Sequence, residues 1–137
     1  MELVDTSAWE KKEHPAIRGW FSVALVNGEL AVCDAVVLEI LQGATSPELL
    51  AQLNDMLDAV PWLRMSTHEW KRAREVYNLL DAAFGTNVRR SVKLPDLLIA
   101  ACAERHSVTI AHYDRDYETI AGVTQQPTRW IAERGSI

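Results

Sequence analysis

The chain has 137 residues, a formal net charge of −5 at pH 7 and 48% hydrophobic residues. This length fits a single domain over residues 1–137, with a core that needs neither a disulfide nor a structural metal. The negative charge argues against a protein that coats nucleic acid by bulk electrostatics, but it does not exclude a nuclease. No window is long and apolar enough to span a bilayer, so we expect no membrane association.

The first half of the chain combines two short apolar segments with one clear helical pattern. The segments ELV at 2–4 and ELAVC at 29–33 are predicted to be buried strands. Ser46 is a suitable N-cap and Pro47 suits the first position of a helix. The predicted apolar face of this helix consists of Leu49, Leu50, Leu53, Met56, Leu57 and Val60.

The second half continues the alternation of strands and helices. PWLRM at 61–65 is a candidate strand, and VTIAHY at 108–113 is a strong one. Ser66 and Glu69 have capping-box spacing before a helix that Gly85 ends. The predicted apolar stripe of that helix is Trp70, Ala73, Tyr77, Leu80 and Phe84. A further helix over 95–106 is apolar nearly all round and should be buried.

These elements indicate the fold class. Strands that are apolar without alternation, separated by helices, favour a parallel sheet covered on both faces. The sequence therefore predicts an α/β fold. Cys33 and Cys102 lie in apolar runs, as is typical of small buried thiols. Buried thiols and an N-terminus without a signal-peptide pattern lead us to expect a cytosolic protein.

Acidic residues follow three of the predicted strands. Asp5 follows the first strand, Asp34 the second and Asp114 the last, with Asp116 just beyond. Ligands of open parallel sheets bind beyond the carboxyl ends of the strands, where these acids would converge. We assign Asp34 to the N-cap of its helix and leave it out of the site. A similar capping role for Asp116, at the short helix that follows, stays open.

Two further acids lie on predicted helices. Glu39 borders an apolar helix face, where an unpaired carboxylate would be costly. Asp96 lies in the first turn of the most hydrophobic helix, where the helix dipole favours an ionised carboxylate. Carboxylates brought together repel unless a cation neutralises them, and Mg²⁺ or Mn²⁺ suits an all-oxygen site. Such a site typically serves phosphoryl chemistry.

The motifs VDTS at 4–7, VVLEIL at 36–41, LPDLLIAA at 94–101 and HYDRDYETIA at 112–121 resemble those of the PIN domains. The narrower resemblance is to the VapC-type ribonuclease toxins of bacterial toxin–antitoxin pairs. Four residues fall where the family has its metal-binding catalytic acids: Asp5, Glu39, Asp96 and Asp114. Asp116 matches a fifth, more variable acid, and Thr6 matches a small hydroxyl residue that supports the first aspartate or the water on the metal. Tyr117 is a departure, since the family commonly carries Phe there.

The resemblance implies a doubly wound α/β/α sandwich with a mostly parallel central sheet. It implies a Mg²⁺- or Mn²⁺-dependent endoribonuclease that cleaves structured RNA, such as tRNA or rRNA, leaving a 5′-phosphate and a 3′-hydroxyl. It also implies a homodimer that a small antitoxin inhibits by laying its C-terminal segment across the active-site groove. Trp9 and Trp20 are candidates to line that groove, although core packing is the more ordinary role of a tryptophan.

A basic cluster precedes the helix that carries Asp96. Arg89, Arg90 and Lys93 are candidates to hold the RNA backbone near the metal, because phosphate contacts position a nucleic acid. The alternative is a solvated loop. His112, beside Asp114, is expected to have a structural role.

Other function classes stay open. In phosphatases of the haloacid dehalogenase type a D-x-D pair follows a strand, but the pair usually comes early in the chain. YDRDY comes late here, at 113–117, and Asp5 and Glu39 would have no role. A phospho-receiver domain would need a phosphoacceptor and a late lysine for which we find no counterpart. A non-catalytic module that binds RNA or a partner has no need to concentrate acids where RNA lies.

Overall fold

The computed structural model describes all 137 residues and contains five strands and eight helices. The strands are β1 (Glu2–Val4), β2 (Leu30–Cys33), β3 (Trp62–Leu63), β4 (Thr109–His112) and β5 (Thr128–Trp130). The helices of the first half are α1 (Thr6–Trp9), α2 (Arg18–Val26), α3 (Asp34–Gln42) and α4 (Pro47–Asp58). Those of the second half are α5 (Thr67–Phe84), α6 (Thr86–Ser91), α7 (Leu94–His106) and α8 (Asp116–Thr124).

All five strands form one parallel sheet in the order β3-β2-β1-β4-β5. From β1 the chain moves outward to β2 and β3, then crosses back to β4 and moves outward to β5 on the other side. Right-handed crossovers in these two directions place helices on opposite faces of the sheet. The predicted α/β/α sandwich with a parallel sheet is therefore confirmed. The strand order reverses between β1 and β4, where such sheets bind ligands.

Most predicted elements are present with shifted ends. All four predicted strands form, although the segment at 61–65 contributes only Trp62 and Leu63. The Ser46 side chain caps α4, and Ser66 and Glu69 form the capping box of α5. The sequence pattern predicts neither α2 nor β5. β5 has no apolar run of its own, and pairing with β4 defines it.

The predicted apolar stripe of α5 is partly wrong. Trp70 is 65% exposed and Phe84 is 45% exposed, whereas Ala73, Val76 and Leu80 are buried. The buried face of α5 packs against α7 and α8. An adjacent residue is rotated by about 100° around a helix, so Trp70, next to buried Glu69, points away from that contact.

The predicted burial of the two thiols is confirmed. Cys33 and Cys102 are both buried and unpaired, and α7 is buried along most of its length. None of the helices has the length and apolar character needed to cross a membrane.

Candidate metal and active site

Asp5 is held at the carboxyl end of β1 by bonds to both of its carboxylate oxygens. As the N-cap of α1, it accepts hydrogen bonds at Oδ2 from the Ser7 backbone N–H (3.0 Å) and the Ser7 hydroxyl (2.6 Å). Its Oδ1 accepts a 2.6 Å bond from the Tyr117 hydroxyl. Asp5 is only 4% exposed, so these donors fix the orientation of a buried carboxylate.

Asp96, in the first turn of α7, faces the same Tyr117 hydroxyl. Its Oδ1 lies 3.2 Å from the Tyr117 oxygen, and its buried Oδ2 has no hydrogen-bond partner. Burial raises the pKa of Asp96 to about 8, with further contributions from the adjacent Asp116 and Asp5 carboxylates. An unsatisfied buried carboxylate oxygen is costly unless a cation approaches it. Asp96 Oδ2 is therefore a candidate ligand for a cation.

Asp114 and Asp116 complete an acid cluster with Asp96. One carboxylate oxygen from each of these three residues lies within 4.8 Å of the other two. Asp114 Oδ1 accepts the Asp116 backbone N–H at 2.9 Å, which orders the turn between β4 and α8. Burial alone would raise the pKa of Asp116, but the neighbouring Asp96 carboxyl group and the hydrogen bonds from Lys93 lower it overall.

The Lys93 side chain enters this acid cluster from solvent. Its Nζ lies 2.6 Å from Asp114 Oδ2, 3.0 Å from Asp116 Oδ2 and 3.5 Å from Asp96 Oδ2. Partial burial opposes the charged form, but hydrogen bonds to Asp114 and Asp116 raise the pKa of Lys93 above its usual value. The ammonium is therefore a resident cation of the site.

Glu39, on α3, borders the site at its more apolar side. The Thr6 hydroxyl donates a 3.1 Å bond to Glu39 Oε1. Burial raises the pKa of Glu39, and the Thr6 bond offsets part of that rise. The Thr6 hydroxyl thus supports the Glu39 carboxylate directly.

Two grooves meet at Glu39. One has a volume of about 430 Å³ and is lined by apolar residues of α3, α5 and α7, including Leu38, Trp70 and Leu98. The other has a volume of about 260 Å³ and lies between α1 and α4, with Trp9 in its wall. A chain lying in either groove would contact Glu39.

Asp34 does not cap its helix, and the predicted N-cap role is wrong. The N-cap position of α3 is Cys33, and Asp34 is the first helical residue. The Asp34 carboxylate accepts a 2.7 Å bond from the Trp62 indole, which links α3 to β3. The prediction that Asp34 lies outside the site agrees with this contact.

Asp116 does not have the capping role that we left open. It is the first residue of α8, after an N-cap at Arg115, and its Oδ2 accepts bonds from Lys93. Instead, the Asp114 carboxylate accepts a hydrogen bond from the backbone N–H at the start of α8.

The three residues of the predicted basic cluster lie in three different environments. Arg89 and Arg90 lie on α6 rather than in a loop, and Arg89 forms a 2.8 Å ion pair with Asp81. The Arg90 side chain is exposed, while Lys93 binds the acids. Of the two candidate tryptophans, Trp20 packs under the Arg129 guanidinium and lines neither groove.

His112 is buried in the sheet next to Asp114. Its Nδ1 accepts the Asp114 backbone N–H at 3.1 Å, and its ring packs against Tyr117 and Trp130. Burial lowers the pKa of His112, which favours the neutral ring. These contacts agree with a structural role.

Sequence reasoning missed three parts of the site: the Ser7 bonds to Asp5, the Tyr117 bridge and the position of the Lys93 ammonium. The D-x-S spacing of Asp5 and Ser7 is a local signal for the first, since an Asp side chain commonly bonds the backbone two residues on. Lys93 and Asp96 are three residues apart at a helix start, which is a weak signal for the position of the Lys93 ammonium.

The donor set fits a hard divalent cation. It contains only carboxylate oxygens, several of them buried, and one of these oxygens, Asp96 Oδ2, has no hydrogen-bond partner. Oxygen ligands of this kind suit Mg²⁺ or Mn²⁺ rather than zinc, which prefers nitrogen and sulfur.

Comparison with known proteins agrees with this geometry. Residues 3–123 match the PIN domain family. The chain is 38% identical to Ribonuclease VapC18 of Mycobacterium tuberculosis over 134 residues, covering 98% of this chain and 97% of the relative. It is 33% identical to Ribonuclease VapC51 of the same organism over 135 residues, covering 98% and 96%.

Solved structures show the same fold at lower identity. The DNA-bound VapBC structure from Salmonella typhimurium superposes with a TM-score of 0.73 at 17% identity, covering 96% of this chain and 100% of that one. A toxin–antitoxin complex from Klebsiella pneumoniae gives a TM-score of 0.72 at 16% identity, covering 97% and 99%.

Proposed function

The chain belongs to the PIN domain family, among its VapC ribonucleases, and from this premise we propose that it is the toxin of a type II toxin–antitoxin system. In this proposal a single PIN-like domain over residues 1–137 cleaves structured RNA, such as tRNA or rRNA, with Mg²⁺ or Mn²⁺ in the cytosol. The observation that carries the proposal is the acid cluster at the strand-order reversal, in which one buried oxygen of Asp96 accepts no hydrogen bond.

The metal ligands in this proposal are drawn from five acids: Asp5, Glu39, Asp96, Asp114 and Asp116. A divalent ion bound there would supply activated water and neutralise the charge that develops on the phosphodiester. Ser7 and Tyr117 keep the Asp5 carboxylate oriented, so it pays little reorganisation on binding the ion. Asp96 must release its proton to bind the ion, because burial raises its pKa to about 8.

The Glu39 carboxylate is the group best suited to act as a general base and accept a proton from the attacking water. Burial raises the pKa of Glu39 above its ordinary value, which makes its carboxylate a stronger base, and Thr6 holds one of its oxygens. The products would be a 5′-phosphate and a 3′-hydroxyl. Among the basic candidates for RNA contact, Arg90 is supported best, because Arg89 and Lys93 already pair with carboxylates.

We also propose an antitoxin partner and a homodimer. The structural neighbours are toxin–antitoxin assemblies, and an antitoxin segment lying in the groove beside Trp9 would contact Glu39. The homodimer is supported by exposed apolar side chains: Leu38 is 68% exposed, Trp70 65% and Leu94 61%. Trp70 and Leu98 line two adjoining grooves, so this surface is continuous.

The test of the proposed activity is RNA cleavage by the purified protein with Mn²⁺ and with EDTA. Asp5→Asn and Asp96→Asn should abolish cleavage, because each removes a negative ligand from the buried site. Asp55→Asn is the matched control, since Asp55 is an exposed acid on α4 and its variant should cleave normally. Equal cleavage by the wild type and the two site variants would refute the site assignment.

The alternative functions have their own readouts. Hydrolysis of p-nitrophenyl phosphate would favour the phosphatase, and RNA binding without cleavage would favour the non-catalytic module. A short adjacent reading frame for a DNA-binding protein would support the toxin–antitoxin assignment.

A further inference from the structure

The Lys93 ammonium occupies one side of the acid cluster. It lies within 3.0 Å of oxygens from both Asp114 and Asp116. The Lys93 backbone N–H also donates to Asp116 Oδ2 at 2.9 Å, so both ends of the residue are tied to that carboxylate. The side chain is 59% exposed and extends into the cluster from the protein surface.

This position limits where divalent ions can bind. Nucleases with two metals hold them about 3.5–4 Å apart and share carboxylates between them. An ion bound by Asp114 and Asp116 would lie within a few ångströms of the Lys93 ammonium and be repelled by it.

The other side of the site has no such cation. The Tyr117 hydroxyl lies 2.6 Å from an Asp5 oxygen and 3.2 Å from an Asp96 oxygen, so these carboxylates are neighbours. Asp96 Oδ2 has no hydrogen-bond donor, and the ammonium lies 3.5 Å from it, farther than from Asp114 or Asp116. Asp5 and Asp96 can therefore bind a divalent ion on this side.

We propose that Lys93 is a tethered cation that takes the place of a second divalent ion, so that this chain binds a single Mg²⁺ or Mn²⁺ on the side of Asp5 and Asp96. The inference rests on the proposed metal-dependent function and specifies its metal content. Lys93 is a positioning residue in this account: it neutralises Asp114 and Asp116 and directs the metal to the other acids.

The test is a Mn²⁺ titration of the purified protein without RNA, in which the free ion is measured by electron paramagnetic resonance. The wild type should bind one ion per chain. Lys93→Met, which removes the ammonium but keeps a similar length and the backbone bond to Asp116, should bind two. Lys93→Arg retains the positive charge and should bind one.

Lys71→Met is the matched control, because Lys71 is an exposed lysine on α5 and its variant should bind one ion. Two ions of similar affinity in the wild type, or one ion in a folded Lys93→Met protein, would overturn the inference. Circular dichroism establishes folding, and Lys93→Gln replaces the methionine variant if that variant is unfolded.

The outcomes separate this inference from the proposed function. A wild type that binds one Mn²⁺ but cleaves no RNA would support the single site and refute the ribonuclease. A wild type that cleaves RNA with two bound ions would support the ribonuclease and refute the role of Lys93. Absence of Mn²⁺ binding overturns the inference, and the cleavage assay then tests the function by itself.

Discussion

The hydroxyl of Tyr117 gives the sharpest test of how the site is held together. Tyr117 is fully buried, and its hydroxyl donates to Asp5 Oδ1 at 2.6 Å. Tyr117→Phe removes this donor and the 3.2 Å contact with Asp96 Oδ1, while the phenyl ring can keep its packing against His112. The substitution leaves a buried carboxylate oxygen of Asp5 without a partner.

The size of the effect follows from the charge of the acceptor. A hydrogen bond to an ionised group contributes about 1.5–3 kcal/mol, roughly twice the value for a neutral pair. Asp5 is 4% exposed, so water cannot readily replace the lost donor. We expect Tyr117→Phe to lower the free energy of unfolding by about 2 kcal/mol, which corresponds to a fall in Tm of about 5–10 °C.

Urea unfolding followed by circular dichroism in EDTA measures this difference. Tyr77→Phe is the control, because Tyr77 is half-buried beside Arg89 and away from the acids. It should change stability by less than about 0.5 kcal/mol. A double-mutant cycle of Tyr117→Phe with Asp5→Asn should show a coupling energy of about 1 kcal/mol or more.

Two results would refute this reasoning. Tyr117→Phe could lose no more stability than Tyr77→Phe, which would show that the hydroxyl contributes nothing to the fold. Alternatively, the cycle could give no coupling with Asp5, which would assign the loss to another contact.

Three further predictions concern the acids and the exposed apolar face. Asp114→Asn should lower RNA cleavage about 100-fold and Asp116→Asn only about tenfold, measured as initial rates with Mn²⁺, and the reverse order would contradict the unequal roles. Burial raises the pKa of folded Asp96 to about 8, so the metal-free fold retains a proton that the unfolded chain loses near its ordinary pKa. The stability of the metal-free protein in EDTA should therefore fall as the pH rises from about 4 to about 8, and Asp96→Asn should flatten this dependence of Tm on pH. Trp70→Ser should convert the proposed dimer to a monomer in size-exclusion chromatography with light scattering, while an unchanged mass would place the contact elsewhere.

The sequence by itself determined the class of fold and the position of the acids along the chain. Apolar segments and helix caps have local causes, so β1, α4 and the capping box of α5 could be predicted from neighbouring residues. The acids that follow the strands converge because the sheet is parallel, which the strand pattern already indicated.

Only the tertiary structure decided how the acids are held and which cation is already among them. The Tyr117 hydroxyl meets an acid 112 residues away, and the Lys93 ammonium meets one 21 residues away. The Trp62 indole on β3 likewise donates a hydrogen bond to Asp34 at the start of α3. This bond links the helix to the strand, a role that the position of Asp34 at a helix start did not predict. Contacts of this kind depend on the packing of separate elements and on side-chain direction, which no local pattern encodes.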